Sequence, residues 1–178
     1  MRWAKIRTED IANGPGFRVS IYVQGCNNHC PGCFNPETWD FEGGKEFTDK
    51  VKSKFLELGK SKKIAGFSIL GGEPLQQGKD MLDLVKEIKE TYPDKTIWMW
   101  TGCVYEELTP EQLEIVKYVD VLIDGRYKKE LNPGPGKAKW RGSTNQRVID
   151  VKESLKQHCI VEYRDFNGKT ITENERGN

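Results

Sequence analysis

Phe17-Arg18-Val19-Ser20-Ile21-Tyr22-Val23-Gln24-Gly25 runs directly into Cys26-Asn27-Asn28-His29-Cys30-Pro31-Gly32-Cys33. Phe17, Val19, Ile21 and Val23 alternate with polar or amphipathic residues, the period of a β-strand. Asn13-Gly14-Pro15-Gly16 before it is a turn cluster. A strand thus delivers the chain straight into a loop carrying three thiols.

Working outward, the same two periods recur. Thr48 to Leu58 reads as a helix, with Thr48 able to cap and Val51, Phe55 and Leu58 on one face. Ile64 to Leu70 is a short apolar run ending at Gly71-Gly72, a second strand. Leu75 to Tyr92 carries Met81, Leu82, Leu84, Val85 and Ile88 at helical spacing, and Pro93-Asp94 stops it. Thr96 to Thr101 reads as a third strand, in which Trp98 and Trp100 suit a core or a pocket wall equally. Thr109-Pro110-Glu111 opens another helix, with Leu113, Ile115, Val116 and Val119 as its apolar face. Val119 to Ile123 is the next strand, ended by Asp124-Gly125. Alternating strands and helices imply an α/β fold with a mainly parallel sheet. Beyond Tyr127 the pattern weakens. Asn132-Pro133-Gly134-Pro135-Gly136 is a loop, Val148 to Leu155 fits strand or helix, and Cys159 to Tyr163 reads as a final strand. The expectation is one domain over 1–178, with a polar tail that frays from about Asn167.

The chain has 178 residues, enough for one ordinary core. It is 31% charged, yet the net charge is only +1, so bulk electrostatics give no reason to expect nucleic acid or a membrane as partner. The mean hydropathy of −0.70 suits a polar surface over a patterned interior. Met1 to Asp10, MRWAKIRTED, lacks the apolar centre of a secretory signal, and no stretch approaches a membrane span. A cytoplasmic location is expected, where thiols stay reduced, so the five cysteines read as ligands or inert residues rather than disulfides.

The spacing C-x3-C-x2-C over Cys26, Cys30 and Cys33 suits an iron–sulfur cubane, whose corners a short, turn-rich loop can reach. Three protein ligands leave one iron open to a reacting molecule, as in catalytic zinc sites. Two alternatives stand beside this: chance clustering, and a structural zinc site using His29 or Cys103 as fourth ligand. His29 adjoins Cys30 and reads better as a polar loop residue. Cys103 and Cys159 read as small buried hydrophobes.

The cysteine spacing directly after the first strand resembles the signature of the radical S-adenosylmethionine superfamily. Gly71-Gly72-Glu73-Pro74, taken alone a strand-to-helix turn, resembles the motif that holds the methionine amino group in that superfamily. The resemblance implies an incomplete (βα) barrel, a [4Fe–4S] cluster on Cys26, Cys30 and Cys33, and S-adenosylmethionine chelated at the fourth iron. It further implies cofactor contacts from Gly32, Cys33 and Phe34 and from Gly71, Gly72, Glu73 and Pro74. The superfamily usually has an aromatic residue where this chain has Gly32, and Phe34 is the candidate to compensate. Thr101, Asp124 and Arg126 lie at strand ends, where parallel α/β folds place ligands; Arg126 suits the methionine carboxylate and Asp124 a ribose hydroxyl. Ordinary turn chemistry explains them as well.

Trp140-Arg141-Gly142-Ser143-Thr144-Asn145-Gln146-Arg147 is a polar loop able to grip a partner's backbone or an acidic patch. With Val121 to Gly125 and Cys33-Phe34-Asn35-Pro36-Glu37-Thr38-Trp39, it resembles the activating enzymes of anaerobic (class III) ribonucleoside-triphosphate reductase, over roughly Asn13 to Val151. That family implies generation of a glycyl radical on the large reductase subunit, with a low-potential donor such as flavodoxin. No acid, base or nucleophile is assigned, since the cofactor carries the chemistry. Other readings are a small-molecule enzyme of the superfamily, such as 7-carboxy-7-deazaguanine synthase, another glycyl-radical activase, or a zinc-binding interaction module.

Overall fold

The strand that decides the fold, β2 (Phe17–Val23), is buried from Arg18 onward on both faces, which makes it a central strand. The computed structural model describes residues 1–171. In chain order they form β1 (Arg2–Asp10), β2, β3 (Lys45–Glu46), α1 (Asp49–Leu58), β4 (Ile64–Gly71), α2 (Lys79–Thr91) and β5 (Thr96–Trp100). Then follow α3 (Pro110–Val116), β6 (Val121–Asp124), β7 (Arg147–Asp150) and α4 (Val151–Gln157). The fold is α/β, with an open, mixed seven-stranded sheet in the order β3-β1-β2-β4-β5-β6-β7.

The four central strands, β2, β4, β5 and β6, are parallel. α1, α2 and α3 connect them in turn, as parallel neighbours require. Only a single 3-10 turn, Lys129–Leu131, and no α-helix lies between β6 and β7, which pair antiparallel. β1 and the two-residue β3 extend the other edge antiparallel. The sequence reading found neither, because Arg2–Asp10 lacks clean alternation.

Odd-numbered β2 residues Val19, Ile21 and Val23 join Phe55, Phe67, Ile69, Leu84, Ile88, Ile97 and Met99 in the core beneath the helices. Each fully buried side chain of this size contributes roughly 1.5–3 kcal/mol of transfer free energy. The opposite face carries Arg18, Ser20 and Tyr22, then a smaller cluster of Trp98, Val121, Ile123 and Val148. Arg18 is fully buried, and among the described residues no carboxylate is hydrogen-bonded to it. Its guanidinium donates to Ser68 Oγ (2.6 Å), Phe67 O (2.6 Å) and Thr96 O (3.0 Å), and it lies over the Trp98 ring. Burial pulls its pKa down to about 10.

Several expectations change. Thr48 caps α1 through Val51 N, but Leu56 is buried there and Leu58 is 37% exposed. The helix expected from Leu75 begins at Lys79: Pro74–Gln76 is a separate single turn, and Gly78 at φ +56° breaks the run. Thr109 and Gln112 form a reciprocal capping box on α3. Val148 to Leu155 is both strand and helix, changing at Asp150, whose side chain caps α4. Cys159 to Tyr163 is no strand; Glu162 makes one isolated bridge to Ile149, and Cys159 is exposed. Of the polar stretch expected from about Asn167, Thr170 and Ile171 are buried, Ile171 in the Trp98 cluster. Residues 172–178 lie outside the described residues. No described helix is long and apolar enough to cross a membrane.

Candidate functional site

The parallel strands end together, and the cysteine loop starts at that edge. Gly72 N donates to Val23 O (2.8 Å) and Glu73 N to Gly25 O (2.8 Å), locking the ends of β2 and β4. A Cβ on Gly72 would meet Gly25 O at 2.4 Å, so only glycine permits this approach. The loop returns to the same edge through Gly25 N to Thr38 O (2.8 Å) and Cys26 N to Trp39 O (3.0 Å). Within it His29 and Gly32 take positive φ, 44° and 74°, and these reversals let one short segment present three thiols.

All three cysteines are free, and all line a single cavity of about 1070 Å³. Asn28 N donates to Cys26 Sγ and Asn35 N to Cys33 Sγ, both at 3.4 Å. Such bonds favour the thiolate and tune clusters that thiolates hold. Burial raises the pKa of Cys26 and Cys30, while Arg126 partly opposes this at Cys30. His29 stacks on Trp39, ring centroids 4.7 Å apart. Trp39 Nε1 is buried without an acceptor among the described residues, although its ring lines the cavity. Among the described residues no three His, Cys, Asp or Glu side chains converge on one point as ligands of a single ion must. Three thiols at one cavity, two of them with N–H donors at their sulfurs, beside an orphaned indole N–H, fit a multi-iron cluster with acceptor sulfides.

Glu73 is 1% exposed behind this loop. Its carboxylate accepts from Thr101 Oγ1 (2.6 Å), Leu75 N (3.1 Å), Gly102 N (2.7 Å) and Asn28 Nδ2 (3.1 Å). Burial raises its pKa, and these four donors oppose the rise. Glu73 therefore ties the ends of β4 and β5 to the cysteine loop.

Of the residues singled out from sequence, Cys26, Cys30, Cys33, Phe34, Gly71, Gly72, Glu73 and Thr101 line the cavity together. Gly32 packs at the Lys129 side chain, and Pro74 is buried as the first residue of its turn. Asp124 is 1% exposed, held by Arg147 and by Tyr105 N (2.9 Å). Arg126 is exposed and reaches Asn28 Oδ1 at 3.3 Å, over the cysteine loop. The sequence reading missed Lys5 and Arg7, which also line the cavity, because β1 was unrecognised; Tyr22 of the recognised β2 lines it too. Nor did any local signal mark Arg147 as the partner of Asp124.

The loop from Trp140 to Arg147 builds the wall over β5. Trp100 Nε1 donates to Trp140 O (2.7 Å). Gln146 Oε1 accepts from Gly142 N and Ser143 N, while its Nε2 donates to Gly125 O (2.9 Å). Asn145 Nδ2 donates to Arg126 O (2.9 Å), and Lys128 N to Ser143 Oγ (3.1 Å). The short polar side chains expected to grip a partner thus staple this loop to the segment after β6.

Residues 12–149 match the family model of the 4Fe-4S single cluster domain. The chain is 42% identical to the anaerobic ribonucleoside-triphosphate reductase-activating protein of Enterobacteria phage T4, over 89% of this chain and 99% of that protein. The protein of that name from Salmonella typhi is 40% identical, over 85% and 100% of the two chains. That from Escherichia coli strain K12 is also 40% identical, over 80% and 94%. With its cysteine loop at the sheet edge and similarity along nearly the whole of these relatives, the chain belongs to the family of anaerobic ribonucleoside-triphosphate reductase-activating proteins, built on a 4Fe–4S single cluster domain.

Proposed function

We propose that this protein is a radical S-adenosylmethionine enzyme that activates an anaerobic ribonucleoside-triphosphate reductase by generating a glycyl radical on its large subunit. The observation that carries the reading is three free thiols on one loop opening into a cavity of about 1070 Å³. Relatives at 40–42% identity that bear the activating-protein name support the choice of partner.

Cys26, Cys30 and Cys33 would hold a [4Fe–4S] cluster at the cavity, with S-adenosylmethionine as its partner there. When bound, the cluster supplies one electron and S-adenosylmethionine the carbon radical that takes a hydrogen atom from a glycine of the reductase. The protein's part is to orient and to exclude. Asn28 N and Asn35 N stabilise thiolates at Cys26 and Cys33. Gly71 and Gly72 let backbone come close to the methionine moiety, and Glu73 fixes their conformation through Thr101 and Gly102. Cys33, with Gly32 and Phe34, borders the adenine side. Arg126, hydrogen-bonded to Asn28 of the loop, is suited to the methionine carboxylate. Asp124, its carboxylate held by Arg147 and Tyr105 N, and the buried Pro74 would act as supports of the strand ends. Helices pack over one face of an open, mostly parallel sheet, which we read as an incomplete barrel within one domain over 1–178. A reducing cytoplasm and a flavodoxin-like donor suit the thiols and the electron.

Anaerobically purified protein is expected to be brown and to carry about four irons and four sulfides. Mixed with the reductase, S-adenosylmethionine and a reductant, it is expected to give a glycine-centred doublet in electron paramagnetic resonance. Cys30→Ala is expected to lose iron and S-adenosylmethionine cleavage, whereas Cys103→Ala and Cys159→Ala keep both. Colourless protein holding one zinc, or no doublet from a fully loaded cluster, would refute the reading.

A further inference from the structure

The cavity has a charge that the whole chain lacks. Against a net charge of +1, its lining among the described residues includes Lys5, Arg7, Lys137, Lys139 and Arg141, with Glu73 the one acidic residue among them. Glu73 is buried and saturated with donors, so it offsets little of this at the surface. Lysines on the helices mostly sit in ion pairs: Lys52 with Glu87, Lys79 with Asp83, Lys117 with Glu114, Lys156 with Glu153. Among the described residues Lys5, Arg7 and Lys137 have no such pair. Lys5 and Arg7 instead lie over the Tyr22 ring, at 4.2 and 5.4 Å.

These cations form two groups. Lys5 and Arg7 share one face of β1, two residues apart. Lys137, Lys139 and Arg141 belong to the loop anchored on Trp100 of β5. With β2 and β4 between β1 and β5, three strand spacings, about 14 Å, separate β1 from the strand that anchors the loop. That exceeds one phosphate group and matches about four residues of extended chain. S-adenosylmethionine does not account for them, because its ammonium and sulfonium outnumber its single carboxylate.

We propose that this basic rim binds an acidic, extended segment of the protein partner, its carboxylates divided between the β1 pair and the 137–141 loop. The inference rests on the activase reading, because it takes the reductase as the partner. Complementary charge at such a rim sets encounter rate and register, and salt weakens it.

The test measures Kd between the cluster-loaded protein and the reductase large subunit at low and at moderate potassium chloride, under anaerobic conditions. Lys5→Glu/Arg7→Glu and Lys137→Glu/Lys139→Glu are each expected to weaken binding about tenfold at low salt, and to flatten its salt dependence. Should a Glu pair fail to fold by circular dichroism, the Gln pair is expected to weaken binding about threefold. Unchanged Kd and salt slope in both pairs would overturn the proposal. Equal loss of wild-type binding on adding millimolar ATP would also overturn it, marking a phosphate site. Iron content and the glycyl doublet, read separately on wild type, report the activase reading: salt-sensitive binding without a doublet would sink that reading and leave the rim.

Discussion

Arg147 is expected to be among the most costly single positions to truncate. Its Nε donates to Asp124 Oδ1 (2.9 Å) and its Nη2 to Asp124 Oδ2, while Nη1 and Nη2 reach Glu106 at 2.8 and 2.6 Å. The two halves differ in value. Glu106 is exposed; Arg147 pulls its pKa down to about 2, and solvent screening leaves that fork roughly 0–1 kcal/mol. Asp124 is 1% exposed, and without Arg147 it would keep only Tyr105 N. Stranding a buried carboxylate costs about 3–5 kcal/mol. For a domain of this size each kcal/mol lowers Tm by about 2–4 °C, so Arg147→Ala is expected to melt about 6–20 °C below wild type. Thermal unfolding by far-ultraviolet circular dichroism reads this. The decisive comparison is Arg147→Ala with Asp124→Asn, where no orphaned charge remains. The double variant is expected to melt above Arg147→Ala alone. A single variant within about 2 °C of wild type, or a double variant that simply adds both losses, would refute the argument.

Two further outcomes follow from the site. Burial raises the Glu73 pKa, so its ionised form is disfavoured in the folded protein. For an acid raised on folding, stability is lost as pH climbs through the folded pKa. Relative to Glu73→Gln, wild type is therefore expected to lose ground between mildly acidic and neutral pH; a urea-midpoint difference that stays constant with pH would contradict this. Gly72→Ala would place a Cβ 2.4 Å from Gly25 O, backbone that cannot turn aside. Forcing the ends of β2 and β4 apart is expected to cost about 1–3 kcal/mol and to lower iron retention, and wild-type stability with full iron would exclude the close approach.

Local order was legible wherever chemistry acts over a few residues. The alternation of Phe17 to Val23, the caps at Thr48 and Thr109, and the turns after Ile123 are short-range events, and the structure has them where the sequence suggests. The cysteine spacing is of the same kind: Cys26, Cys30 and Cys33 meet the same cavity because few residues separate them. Periodicity failed where two elements abut. It merged the turn at Pro74–Gln76 with α2, and it could not divide β7 from α4 at Asp150.

What the sequence by itself determined is therefore the alternation of strand and helix and a thiol loop at the end of a strand. Tertiary structure alone decided which groups face one another across that alternation. Arg18 holds a polar position in the alternation of β2, yet it lies buried among backbone carbonyls, because both faces of a central strand are covered. Asp124 reads as a site residue until Arg147, brought beside it by antiparallel β7, occupies its carboxylate. Lys5 and Arg7 face the cysteines' cavity only because β1 adds antiparallel beside β2. Such pairings arise from register and sheet order, which depend on long-range contacts that no local pattern encodes.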